Sequence, residues 1–114
     1  MPFINASISV AMSRDQKKTM KEALGQQISI FRGKSEEGLM IELRDECELY
    51  HGGIRHPGIA SFRVHLFGSQ EEERYLEFTR ALCETCEKVL QIDAEHVYII
   101  YETATAWGSN YANS

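Results

Sequence analysis

A proline at position 2, a lysine at position 34 and three cysteines are the first residues in this 114-residue sequence with reactivity to offer. Loss of Met1 would expose Pro2 as a secondary amine. An α-amine titrates near ~8, several units below lysine, and burial lowers it further by disfavouring the charged form. Such an amine is a neutral base at physiological pH and suits proton abstraction from a carbon next to a carbonyl. A Met-Pro start also simply begins a strand, so Pro2 alone leaves both readings open. Lys34 follows Gly33 at the turn leaving a helix. There it could bind a carboxylate or enolate oxygen, or merely complement the negative end of the helix.

Cys83 and Cys86 have the spacing of a redox pair, but they fall well inside a predicted helix. Reactive pairs favour a helix N-terminus, where the dipole lowers the thiol pKa. Cys86 also continues an apolar stripe, so both are read as packing residues. A zinc site would need further ligands; His51 and His56 lie five apart in a glycine-rich connection and match poorly, so no metal is expected. His65 reads as a polar-face residue with a structural hydrogen bond. Glu71, Glu72 and Glu73 read as a favourable first helical turn. Glu42, Asp45 and Glu46 could flank a site, but no pattern places them there.

The elements that must position these groups are one motif written twice, over residues 2–43 and 58–101. Ile4, Ala6, Ile8 and Val10 alternate with Phe3, Asn5, Ser7 and Ser9; Ala60, Phe62, Val64 and Leu66 alternate with Ser61, Arg63, His65 and Phe67. Period two with one apolar face predicts half-buried strands. A helix follows each, its start signalled by capping-box spacing at Ser13 with Gln16 and at Ser69 with Glu72. Met20, Ala23, Leu24, Ile28 and Phe31 form one helical stripe; Tyr75, Phe78, Leu82, Cys86, Val89 and Leu90 form the other. Second strands follow, through Leu39, Ile41 and Leu43 and through Val97, Ile99 and Tyr101. Gly52, Gly53, Pro57 and Gly58 mark the connection between repeats.

Two right-handed β-α-β units predict an α+β two-layer sandwich in a single domain, 1–114: a four-stranded sheet with both helices on one face. The other sheet face mixes Asn5, Ser7, Ser9, Ser61, Arg63 and His65 with Phe3, Phe67, Tyr98 and Ile100. Apolar patches of that kind mark contacts, and they suit a ring of subunits around a wet channel. A net charge of −5 argues against a nucleic-acid partner. No apolar run approaches a membrane span and no signal peptide is evident, so a cytoplasmic protein with reduced thiols is expected.

The combination resembles the macrophage migration inhibitory factor branch of the tautomerase superfamily. Its carriers are Pro2-Phe3-Ile4, Gly33-Lys34, Gly52-Gly53, His65-Leu66-Phe67-Gly68, Val97-Tyr98-Ile99 and Trp107-Gly108-Ser109-Asn110, in order along nearly the whole chain. The resemblance implies a homotrimeric keto–enol tautomerase for phenylpyruvate-like α-keto acids, with sites between subunits and no cofactor. Pro2 matches the catalytic proline and Lys34 the lysine that meets the substrate carboxylate. Phe67 matches a residue whose backbone N–H holds substrate, and Tyr98 a tyrosine from the neighbouring subunit. Phe3, Trp107 and Tyr111 would supply apolar walls.

Three departures from the family pattern stand out. Ile100 replaces a polar asparagine, and the segment after Trp107 does not align residue for residue. Ile59 and Phe62 lie where cytokine members carry a redox Cys-x-x-Cys. A non-catalytic trimeric binding protein, or a hydratase or dehalogenase of the same superfamily, are the alternative readings.

Overall fold

The computed structural model describes all 114 residues. Alternation at the amino terminus resolves into strand β1 (Pro2–Ile8), with Pro2, Ile4, Ala6 and Ile8 buried on one face. Helix α1 (Arg14–Gln27) opens with the expected capping box. The Gln16 amide donates to the Ser13 hydroxyl at 3.1 Å, and the Ser13 amide donates to the Gln16 side chain at 2.9 Å. Two backbone donors that the helix leaves orphaned are thereby satisfied. A 3-10 turn over Ile28–Ile30 ends α1 and buries Ile28 and then Phe31. Strand β2 (Met40–Arg44) completes the first unit.

The second unit comprises β3 (Ala60–Phe67), helix α2 (Glu72–Leu90) and β4 (Val97–Ala104). Its helix start corrects the sequence expectation. The N-cap is Glu71, without a side-chain cap, and Ser69 lies outside the helix. The preceding segment is engaged elsewhere. The Gln70 side chain accepts from the Arg32 amide at 2.8 Å and donates to the Arg32 carbonyl at 3.1 Å, and Glu71 pairs with the Arg32 guanidinium. These ties to the loop after α1 hold residues 70–71 out of helical register. At the other end, Gln91 closes α2 in the left-handed conformation, with its amide returning to carbonyls of the last turn.

The sheet order is β2-β1-β3-β4. Each repeat contributes a parallel pair, β1 with β2 and β3 with β4, and β1 and β3 join antiparallel at the centre. One apolar cluster unites the inward faces of β1 and β3 with Met20, Leu24 and Ile28 of the first unit and Phe78, Leu82 and Cys86 of the second. Burial pushes the Cys86 thiol up to about 12 and raises Cys83 as well, so both thiols stay protonated and poorly nucleophilic. Three elements lie outside the predicted pattern: the 3-10 turns at Glu36–Gly38 and Ala94–His96, and a terminal hairpin of β5 (Gly108–Ser109) and β6 (Ala112–Asn113). No helix is long and apolar enough to cross a membrane.

The outer sheet face is as mixed as its sequence. Met40, Tyr98 and Ile100 are exposed by 68, 60 and 46 %. Between them, the Asn5 amide donates to the Glu42 carboxylate at 2.7 Å and the Asn5 carbonyl oxygen lies 3.2 Å from His65 Nε2.

Candidate functional site

Pro2 pairs with Leu66 across the β1–β3 register, which places it beside the carboxy-terminal end of β3. The Phe67 amide donates to the Met1 carbonyl at 3.2 Å, and the Phe67 carbonyl accepts from Lys34 Nζ at 2.8 Å. The backbone of Phe67 therefore fixes both the amino terminus and the lysine. Burial and then the Lys34 charge hold the terminal amine below its ordinary value of 8.0. A lysine ammonium has three donors, so the bond to Phe67 leaves two for a ligand.

Lys34 reaches this corner because the chain before it is anchored. Phe31 is fully buried against Phe78, with ring centroids 4.9 Å apart, and also contacts Tyr75 and Tyr101. The Lys34 amide donates to the Phe31 carbonyl at 3.2 Å, and the Arg74 guanidinium donates to the Ile30 carbonyl at 3.0 Å. Gly33, at φ +76°, makes the turn between anchor and lysine in a conformation that favours glycine. The Tyr101 phenol donates to the Tyr75 carbonyl at 3.1 Å, and burial raises its pKa to about 12.

Two open hollows flank this corner. One, of about 450 Å³, is walled by Phe3, His65, Glu102, Ala104 and Trp107. The other, of about 460 Å³, is lined by Arg32, Lys34, Phe67 and Gln70. Phe67 pairs with Ala104 in the β3–β4 register, so the two hollows meet across that pair. Phe3 stacks on His65 at 5.8 Å, giving the first hollow one flat aromatic wall.

Pro2, Lys34, Phe67, Phe3 and Trp107 are thus gathered at one end of the sheet. Tyr98 is not among them: it pairs with Ser61 near the start of β3, six residues from Phe67 and roughly 20 Å away along the strand. Within one chain it cannot touch a ligand at Pro2. Tyr111 stands fully exposed in the β5–β6 turn and walls neither hollow. His65, read from sequence as structural, does make its polar-face contacts but also lines the Phe3 hollow. Around Tyr98 the structure adds a feature the sequence reading missed: His51, His56 and His96 converge, with a nitrogen from each within 4.8 Å of the others. The missing signal was His96, 45 residues beyond His51 and brought back by the connection before β4.

A doubled β-α-β sandwich whose first strand begins beside a lysine and the backbone edge at the end of the third defines the class: the tautomerase superfamily fold. The family model described as macrophage migration inhibitory factor matches residues 1–113, and the chain belongs to that family. Among solved structures it is similar to MIF2 of Leishmania major, with TM-score 0.91 at 24 % identity over 100 % of this chain and 97 % of that one. The macrophage migration inhibitory factor homologue of Prochlorococcus marinus gives TM-score 0.85 at 25 % identity, covering 97 % of both chains. Pt0534, solved after inactivation by 2-oxo-3-pentynoate, gives 0.79 at 16 % identity over 90 % of this chain and 85 % of that one. Comparison with curated sequences yields no match.

Proposed function

We propose that the chain is a keto–enol tautomerase for phenylpyruvate-like α-keto acids, working as a homotrimer with Pro2 as its base after loss of Met1. The observation that carries the reading is the Phe67 backbone, which holds Lys34 on its carbonyl and the Met1 carbonyl on its amide. Loss of Met1 removes the group occupying that amide. The same event turns Pro2 nitrogen from an amide into an amine, so base and donor become available together.

In the proposed reaction neutral Pro2 takes a proton from the carbon beside the carbonyl. Its conjugate acid returns the proton at the other position. Lys34 and the freed Phe67 N–H stabilise the carboxylate and the developing enolate in a site partly shielded from water. Phe3 and Trp107 face the aromatic part of the substrate across the hollow they share. Tyr98 enters from a neighbouring subunit, which accounts for its separation from Pro2 within one chain, and the trimer covers Tyr98 and Ile100. Tyr111 joins the wall only by movement of the terminal hairpin. The inactivation of Pt0534, which shares the fold, by an α-keto acid supports the substrate class. No step needs a cofactor, and the site is expected to work in the cytoplasm.

Intact mass first establishes that Met1 is absent from the sample. Rates on phenylpyruvate enol are then compared between wild type and Pro2→Gly. A wild-type rate no greater than the variant's overturns the reading and leaves a non-catalytic member of the family.

A further inference from the structure

The histidine cluster at the far end of the sheet has a geometry of its own. His51 opens a tight turn closed by paired backbone bonds with Ile54, at 3.0 and 3.3 Å. Gly52 and Gly53 take φ +64° and +78°, the two positive values that the most compact hairpin turn requires. His56 folds back over this turn, donating from Nε2 to the His51 carbonyl at 2.9 Å. His96 ends the 3-10 turn before β4, its amide held by the Asp93 carbonyl at 2.9 Å. The His56 and His96 rings stack at 3.8 Å, and His51 stands edge-on to both.

Each ring commits the same nitrogen outward. Nε2 of His51 lies 3.2 Å from the Tyr98 hydroxyl, Nε2 of His56 donates to a carbonyl, and Nε2 of His96 lies 3.9 Å from the Glu95 carboxylate. Donation from Nε2 fixes neutral His56 in the tautomer whose Nδ1 carries a lone pair. Metal-bound histidines show this arrangement, with one nitrogen on the metal and the other held by an oxygen. The Nδ1 atoms of His51 and His96 sit 2.8 Å apart, close enough that one proton must lie between them. At metal–nitrogen distances of 2.0–2.1 Å, two ligands of a tetrahedral ion stand about 3.3 Å apart. Replacing the shared proton by a metal ion therefore asks the rings to separate by roughly half an ångström.

We infer that His51, His56 and His96 form a binding site for a borderline divalent cation of the zinc type. Imidazole suits such ions, and the set contains neither a thiolate nor the cage of oxygens that calcium or magnesium would need. A water takes the fourth position, and the Tyr98 hydroxyl stays on the outward Nε2 of His51. Two ligands come from the connection between repeats and one from the approach to β4, so the ion clamps that connection to the sheet edge. The inference stands apart from the tautomerase reading, because its readout is metal uptake rather than turnover.

The test strips the whole protein with a chelator, removes the chelator and titrates it with zinc chloride alone by calorimetry. Cobalt(II) chloride is added in parallel, and its visible absorption is recorded. One ion per chain, intense four-coordinate cobalt bands and a thermal midpoint raised by zinc are expected. His51→Gln, His56→Gln and His96→Gln should each weaken binding at least about tenfold. His65→Gln, toward the opposite end of β3 from the cluster, should leave affinity unchanged. His56→Gln alters only a surface turn, so it remains informative where His96→Gln folds poorly. Absence of saturable uptake, equal affinity in the cluster variants, or an equal loss in His65→Gln overturns the inference.

Discussion

At the carboxy-terminal end of β3, one lysine and one backbone edge surround the start of the chain; at its amino-terminal end, three imidazoles converge beside a tyrosine. The first corner is electrostatically unbalanced. A cationic side chain presses on an amine, and no carboxylate among the lining residues of the Lys34 hollow is free of a partner, since Glu71 is paired with Arg32. Such a place favours an anion and a neutral base. The second corner turns one nitrogen from each of three imidazoles toward the others, a donor set that suits a cation. On the two proposals, one small sheet would separate proton chemistry from ligation by the length of a strand.

The contrast can be broken most severely at the first corner. Pro2→Gly in Met1-free protein should lower turnover of phenylpyruvate enol by roughly 10²–10⁴, the usual weight of a positioned base. Wild-type protein that retains Met1 should be as inactive, measured on fractions sorted by mass. Phe31→Ala should cost about 3–5 kcal/mol of stability by denaturant unfolding, as deletion of a buried aromatic does. It should also raise KM, because Lys34 loses its anchor.

Lys34→Ala tests the electrostatic half of the comparison. Loss of a charged hydrogen bond, worth about 1.5–3 kcal/mol, should raise KM for carboxylate substrates by roughly tenfold to a hundredfold with less effect on kcat. An unchanged KM removes Lys34 from binding. The same variant should move the acid limb of kcat/KM to higher pH. The base works only when neutral, so activity falls as pH drops through its pKa. The Lys34 charge lowers the Met1 amine of the untrimmed chain; a Pro2 amine exposed at the same corner is expected to feel that charge, and Lys34→Ala removes it. The smallest effect separates the two repeats: Ser13→Ala should cost about 1 kcal/mol, while Ser69→Ala should stay within about 0.5 kcal/mol.

That last pair also shows what the sequence made legible. Alternation in β1 and β3 and the stripes through Leu24 and Leu82 are set by local periodicity, so strand, helix and facing could be read directly. The Ser13 box is local too, four residues closing on themselves. Ser69 has the same spacing but lost to a tertiary contact, the Gln70 grip on Arg32, which only the folded loop supplies. Pro2, Lys34 and Phe67 were legible through resemblance, and their meeting depends on the β1–β3 register and the Phe31 anchor. Tyr98 and Tyr111 show the limit, since neither reaches Pro2 within one chain. His96 was invisible because its partners lie in a connection whose path has no period.

The bond from the Phe67 amide to the Met1 carbonyl has one further consequence on the proposed reading. A chain that keeps its first residue would be folded yet shut, its donor plugged by its own peptide group. Trimming one residue would then be a maturation step, and the chain would be synthesised as its own precursor. Cellular activity would follow the number of trimmed chains rather than the amount of protein. Within a mixed ring each site would open on its own schedule.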